Sequence, residues 1–327
     1  MIPIGILSVA HLHADSYAAQ LHALPNARLV GIWDSDATRR TTKAAQYDCD
    51  GFDDLGALLD RCEAVVVCAE NVHHRALTEA AARAGKPVLC EKPLATTPED
   101  ARAMVDFCDA AGVPLMTAFP CRFAPAFGSL LAAVQNGDLG EILAVRGTNH
   151  GKCPGGWFVD RTLSGGGTVM DHTVHVTDLL RVLLGSEVQS VYCEADNRLL
   201  HGDFDDTGFL ALNFESGIFG TLDASWSRPA SFPTWGDVTL GVTGTKGVLE
   251  MNLFAQESVL YSDKTGGVTY QGWGSDIDYG MVAAFVEAVE SGSPVPITGI
   301  DGLRAVEVVE AAYASAKTNQ PAAVRRR

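Results

Sequence analysis

Basic residues are scarce in this sequence. Its 327 residues carry 24 Lys and Arg against 40 Asp and Glu, a formal net charge of −16. Such a surface repels phosphate backbones and anionic lipid, so neither nucleic acid nor a membrane surface is expected as a partner. The one basic run, Arg325-Arg326-Arg327, reads as a solvated tail. No apolar run approaches the roughly 18 residues of a spanning helix. The apolar start lacks a basic n-region and a small-residue cleavage site before His11 and His13, so no secretory signal is expected. Eight cysteines lie between Cys49 and Cys193 without CxxC spacing, and none follows. That pattern suits reduced, mostly buried thiols of a cytoplasmic protein better than a disulfide framework. Low-complexity and Gly/Pro-rich stretches are also missing. With 47% hydrophobic and 20% charged residues, the composition is that of an ordinary globular chain, and the length suggests two domains.

Short β-like runs alternate with helical ones through the first 120 residues. Strands are expected at 2–8, 28–34, 64–69, 87–90 and 113–119, with helices at 14–24, 36–46, 74–84 and from Thr97 onward. The run 64–69 is apolar on both faces, as a central parallel strand requires. Thr97-Pro98-Glu99-Asp100 carries an N-cap Thr, Pro at the first helical position and acids in the first turn. Alternation of this kind predicts βαβ units in a doubly wound parallel sheet over residues 1–120. The texture changes after Pro120. A helix at 123–135, a strand at 141–149, a glycine-rich loop at 151–167 and a helix at 168–184 lead into strand-like sequence from 188 to 270. Hairpins around Glu215-Ser216-Gly217 and Gly244-Thr245-Lys246-Gly247 predict a largely antiparallel open sheet in a second α/β domain, 121–327, closed by helices at 276–290 and 302–317.

In the first β-turn-α unit a dinucleotide fold carries G-x-G-x-x-G, because side chains there block the pyrophosphate. This chain has Ser8-Val9-Ala10-His11-Leu12-His13, small at the first two glycine positions and without any glycine. The segment therefore reads either as an ordinary turn or as a cofactor loop, with Ser8, Ala10 and His11 touching the phosphates. Asp34 ends the second strand, where an acid accepts hydrogen bonds from the adenosine ribose and repels a 2′-phosphate. That favours NAD over NADP, an effect weakened by the nearby Arg39 and Arg40; the alternative is that Asp34 only starts a turn. Glu91-Lys92-Pro93 follows the strand expected at 87–90, at the carboxyl edge where such sheets bind ligands. Gly165-Gly166-Gly167 precedes Asp171 and His175, which are four apart and share one helix face. A carboxylate beside an imidazole suits a general base. The competing reading makes Thr168 and Asp171 a helix cap and His175 a core residue.

These residues, with Arg122-Phe123 and Pro125, make the chain resemble the Gfo/Idh/MocA oxidoreductases over nearly its whole length. The resemblance implies a Rossmann domain followed by an α/β domain, with Lys92, Asp171 and His175 as the catalytic set. It places Asn71, Glu91 and Lys92 near the cofactor and implies a homodimer or homotetramer formed through the open sheet. Glu70 departs from the family's usual proline, and His172 adds an imidazole beside the catalytic pair. His150, Lys152, Trp157, Arg122 and His172 are expected on the substrate side. No metal is expected, because neighbours on a helix such as Asp171 and His172 diverge by about 100°. The expected activity is NAD-dependent hydride transfer to or from a sugar, polyol or related cyclic alcohol. The alternatives are redox-neutral glycoside cleavage through a 3-keto intermediate, a non-catalytic sugar or nucleotide sensor, and a metal-dependent hydrolase.

Overall fold

The computed structural model describes residues 1–255, 257–262, 267–272 and 275–327; the strand-like reading of 256 and 263–266 falls outside them. Six parallel strands form the first sheet: β1 (Ile2–Leu7), β2 (Ala27–Trp33), β3 (Asp50–Phe52), β4 (Ala64–Val67), β5 (Val88–Cys90) and β6 (Leu115–Thr117). Their order is β3-β2-β1-β4-β5-β6. Helices α1 (Ala14–Ala23), α2 (Ala37–Gln46), α3 (Leu55–Leu59), α4 (His74–Arg83) and α5 (Pro98–Ala111) connect them. β4 is buried along its length, the consequence of being covered on both faces. Strand order reverses between β1 and β4, so the loops after these two strands diverge and leave a crevice at their carboxyl ends. The cap at Thr97 forms as read, its hydroxyl accepting from Asp100 N–H at 3.2 Å. β3 and α3 were not foreseen; each is too short to show a period.

A single turn of 3₁₀ helix leads to α6 (Pro125–Gln135), β7 (Ile142–Gly151), the short α7 (Arg161–Ser164) and α8 (Thr168–Leu184). β8 (Val188–Asp196), β9 (Thr207–Phe214), β10 (Phe219–Asp223), β11 (Gly236–Gly244) and β12 (Val248–Asn252) follow, then a hairpin of β13 (Glu257–Ser262) and β14 (Gly267–Gly272). α9 (Ile277–Ser291), α10 (Gly299–Thr318) and β15 (Ala322–Ala323) end the chain. The second sheet has the order β12-β11-β7-β10-β9-β8-β15. Both expected hairpins are antiparallel, while β7 and β10 run parallel. Along β9, Gly208, Leu210, Leu212 and Phe214 are buried and Phe209, Ala211 and Asn213 are exposed, so one face is covered and the other open.

α8 lies under the covered face and is buried almost all round, polar residues included. Gly147 and Gly208 allow this approach: a Cβ on either would come within 2.5 Å of Val176 or Val169 on α8. The last two helices return to the first sheet. α9 packs on α1, and α10 packs on α5, with Leu303 and Val306 entering the core that contains Val65, Val88 and Met104. The carboxyl edge of the first sheet thus faces α8 and α9.

Candidate active site

Lys92 follows β5 and reaches α8. Its Nζ donates to Asp171 Oδ1 at 2.6 Å, and both side chains are nearly inaccessible. Trp226 Nε1 donates to the other Asp171 oxygen at 3.3 Å, and His172 Nε2 lies 3.2 Å from it. Burial opposes ionisation of Asp171, but the Lys92 ammonium and then His172 hold its carboxyl well below the usual range. The His172 ring is fixed from behind, since its Nδ1–H donates to the Asn149 carbonyl at 2.8 Å while Asn149 Nδ2 donates to the His172 carbonyl. His172 therefore turns back onto Asp171, contrary to the divergence that helical spacing suggested. A side chain of two rotatable bonds overrides the 100° between Cβ directions when a strand carbonyl anchors it.

His175 lines the same cavity with no carboxylate partner among the described residues. Its Nδ1 faces Cys121 Sγ at 3.8 Å, and Phe119 meets the ring edge-on. Burial, then the Lys92 charge, lowers its pKa well below 6.5, so the ring is neutral. The expected Asp171–His175 contact is thus replaced by Asp171–His172. Nor does Asp171 cap its helix. Gly167 is the cap residue, and Asp205 accepts from Gly167 N–H at 3.0 Å and Val169 N–H at 2.7 Å, with Tyr313 Oη accepting from Met170 N–H. A Cβ at Gly167 would stand 2.0 Å from the Asp205 carbonyl, which explains the last glycine of the run. Sequence reading missed Asp205 and Tyr313, which lie 38 and 146 positions from Gly167 and carry no local signal.

The cavity has a volume of about 390 Å³ and contains, besides these groups, His11, His13, Lys152 and Asp278. Phe158, Trp235 and Phe254 supply its aromatic walls. Lys152 and His172 thus reach the cavity as expected. Trp157 does not line it; its Nε1 donates to the Ala10 carbonyl at 3.1 Å and its ring stacks on Phe158. Arg122 turns away into a buried ion pair with Asp178 and a further one with Asp301. It is structural here because two carboxylates, one on α8 and one on α10, claim its guanidinium. His150 points to the open face of the second sheet, between Asp223 Oδ2 at 2.8 Å and Asp237 Oδ1 at 3.0 Å. Strand alternation decides this: Asn149 faces α8, so its neighbour cannot. The two aspartates raise His150 to about 9.

At the other end of the crevice, the loop after β1 turns at Ser8, whose φ is 64°. The Ser8 hydroxyl donates to Asp34 Oδ2 at 3.0 Å and is not available to a phosphate. His11 is buried against Phe158 and lowered to about 3 by desolvation. Its Nδ1 accepts from His13 N–H, so the neutral ring carries its proton on Nε2, which has no partner among the described residues. His13 Nδ1 lies 3.0 Å from Glu91 Oε1, while Glu91 Oε2 accepts from Lys92 N–H. Burial disfavours charge on His13, but the neighbouring Glu91 carboxylate raises its pKa above the usual histidine value, in a pair of which only Glu91 is fully buried. His11, His13 and Glu91 are also the described group whose ligand atoms converge, all within 4.8 Å of one another; Asp171, His172, His175 and His150 do not converge in this way. Asn71 donates to the Ser164 carbonyl at 2.8 Å, and its buried Oδ1 has no partner among the described residues. Asp34 sits where the sequence placed it, yet Arg39 already pairs with both its oxygens, at 2.9 and 2.8 Å.

Comparison with known proteins agrees with this architecture. Residues 4–119 match the oxidoreductase family model with an NAD-binding Rossmann fold, and residues 127–250 match the GFO/IDH/MocA C-terminal domain. The chain is 28% identical to myo-inositol 2-dehydrogenase of Thermotoga maritima, over 93% of this chain and 92% of that protein. It is 33% identical to the myo-inositol dehydrogenase Hyg17 of Streptomyces leeuwenhoekii over 72% of each chain. The solved structure of GenD2 from gentamicin A biosynthesis, in complex with NAD, superposes with a TM-score of 0.91 at 25% identity, covering 99% of this chain and 97% of that one. Matching both family models in sequence order, with a buried lysine–aspartate pair between the two sheets, the chain belongs to the GFO/IDH/MocA family of NAD-binding oxidoreductases.

Proposed function

We propose that this protein is an NAD-dependent dehydrogenase of a cyclic polyol or sugar and that Lys92, Asp171 and His175 carry the reaction. The observation that carries the reading is the buried Lys92–Asp171 pair in a cavity that also contains a neutral imidazole. A binding protein has no use for an ammonium group and an unprotonated base kept out of water side by side.

The residues present fit a nicotinamide dinucleotide. Two buried polar atoms in the crevice, Asn71 Oδ1 and His11 Nε2, lack partners among the described residues, and an unpaired buried polar atom costs about 1–3 kcal/mol until a ligand satisfies it. Asn71, His11 and the residues after β1 would hold NAD, which supplies the hydride acceptor when bound. Ala10, Glu91 and Lys92 border the same crevice.

The chain's own groups account for the rest. His175, neutral at assay pH, takes the proton of the substrate hydroxyl. Lys92 stabilises the negative charge that develops on that oxygen. Asp171 holds the Lys92 side chain in place, and Trp226 and His172 hold Asp171. Lys152, Asp278 and the aromatic walls offer charge and apolar faces to a polyhydroxylated ring. The reading predicts NADH formation with one or more members of an inositol and aldose panel, followed at the NADH absorbance band. Lack of any turnover, with saturable NADH binding intact, would remove the substrate assignment.

A second reading is favoured by one contact. Trp157 ties the segment after β7 to the Ala10 carbonyl over the crevice, an arrangement that retards release of a bound dinucleotide and suits redox-neutral turnover. Substrate consumption without accumulation of free NADH would select it. The open face of the second sheet carries exposed Phe209, Phe219 and Val248, which supports assembly of a dimer or tetramer through that face. The division at residue 120 follows the family match, with α9 and α10 as returning elements. Eight unpaired cysteines, six of them buried, support a reducing, cytoplasmic setting, and no described helix is long and apolar enough to cross a membrane.

A further inference from the structure

Asp34 ends β2 at the place where an acid reads the adenosine ribose, but it has no capacity left to do so. Its carboxylate accepts five hydrogen bonds: from Ser8 Oγ, Val9 N–H and Arg39 Nε on Oδ2, and from Asp36 N–H and Arg39 Nη2 on Oδ1. A carboxylate offers about four lone-pair sites, so five donors saturate it. Three of these donors belong to the turn after β1 and the start of α2, and giving them up would unseat both.

Arg39 is the group that remains open. Its side chain is 28% exposed, while that of Asp34 is fully covered. From Asp34 it extends across the crevice to Glu70, just after β4, where Nη1 and Nη2 both lie 3.4 Å from Oε1. Contacts of that length are weak. The guanidinium therefore bridges the ends of β2 and β4, with one edge spent on Asp34 and the other held loosely by Glu70. Arg40 adds a donor to the Asp34 carbonyl at 2.9 Å. The negative charge by which an acid rejects a 2′-phosphate is neutralised in place.

From this geometry we propose that Arg39 is the group that takes up a 2′-phosphate on the adenosine ribose, and that the site consequently accepts a 2′-phosphate as well as a 2′-hydroxyl. Glu70 is the opposing element, and its loose contact is what an incoming phosphate displaces. Arginine suits this role because its planar fork meets phosphate oxygens two at a time. The proposal rests on NAD-type binding and concerns only the choice between NAD and NADP.

Fluorescence titration of the purified protein with NADH and NADPH tests it without any substrate. The two dissociation constants of the wild type should lie within about tenfold of each other. Arg39→Ala should weaken NADPH by about 10–100-fold, the range for losing a charge-assisted double contact, and leave NADH unchanged or tighter because Asp34 is released. Glu70→Gln should move NADPH the other way, toward tighter binding. Wild-type NADPH binding more than a hundredfold weaker than NADH, or equal loss of both in Arg39→Ala, would overturn the proposal. Failure of both nucleotides to bind the wild type would overturn the nicotinamide assignment itself, and this inference with it.

Discussion

Replacing Lys92 with methionine tests the ion pair on which the active-site reading stands. Met keeps the length and removes the charge. Asp171 Oδ1 then loses its donor at 2.6 Å, while Oδ2 keeps Trp226 and His172. Breaking a buried pair costs about 3–5 kcal/mol. The surviving Trp226 hydrogen bond and His172 contact put this case at the low end, about 3 kcal/mol. The cost should depend on pH. In the wild type the Asp171 carboxyl is held low, so its stabilising contribution is present above the unfolded value near 3.8 and is lost only as pH falls through the lower, folded value. In Lys92→Met the main opponent of burial is gone and the folded pKa rises above the unfolded one. Stability is then intact at low pH and lost as pH rises. The gap between variant and wild type should widen from pH 5 to pH 8. Adding Asp171→Asn should recover about 2 kcal/mol of the loss at pH 8, because the stranded charge disappears. Urea unfolding followed by tryptophan fluorescence at both pH values measures this. Hydride transfer should fall by about 10²–10³-fold in the single variant and stay down in the double one. A pH-independent loss under 1 kcal/mol, or additivity of the two substitutions, would show that the pair is not the buried, mutually dependent unit described here.

Three further outcomes follow from the same geometry. His175→Ala should cost about 10²–10⁴-fold in rate, and because burial keeps the ring neutral, the wild-type oxidation rate should be flat between about pH 7 and 9; a limb in that range that vanishes with His175 would contradict the neutral-ring assignment. His172→Ala should be more damaging than its helical position suggests, about 10-fold or more in kcat with little change in KM, since it removes the ring packed against the Asp171 carboxylate; wild-type kcat would mean that the contact has no functional consequence. His150, raised to about 9, contributes stability that is complete below the unfolded value of 6.5 and lost as pH rises through 9, worth roughly 1–2 kcal/mol after solvent screening. His150→Asn should flatten the wild-type decline in thermal midpoint between pH 7 and 9, leaving dinucleotide binding intact.

Much of this protein was readable from local chemistry. Hydrophobic runs such as Ala64–Val67, the Thr97 cap and the glycine at 217 place strands, helices and a hairpin, because each depends on residues within a few positions. The resemblance carried by Glu91-Lys92-Pro93 and by the glycine run before Asp171 and His175 nominated the candidate site, where spacing alone left two readings open. Direction across the fold was not. His150 and Asn149 are adjacent, and only the seating of β7 on α8 decides which one meets His172. Arg122 looked free until α8 and α10 brought Asp178 and Asp301 to it. Asp171 was readable as a helix cap until Asp205 and Tyr313 arrived from distant segments and took over the capping, leaving its carboxylate for Lys92. Sequence specifies which groups carry charge and which backbone turns they favour, since those are properties of near neighbours. Which charge meets which is settled by packing, because a buried ion has to be paired and the partner can come from anywhere in the chain.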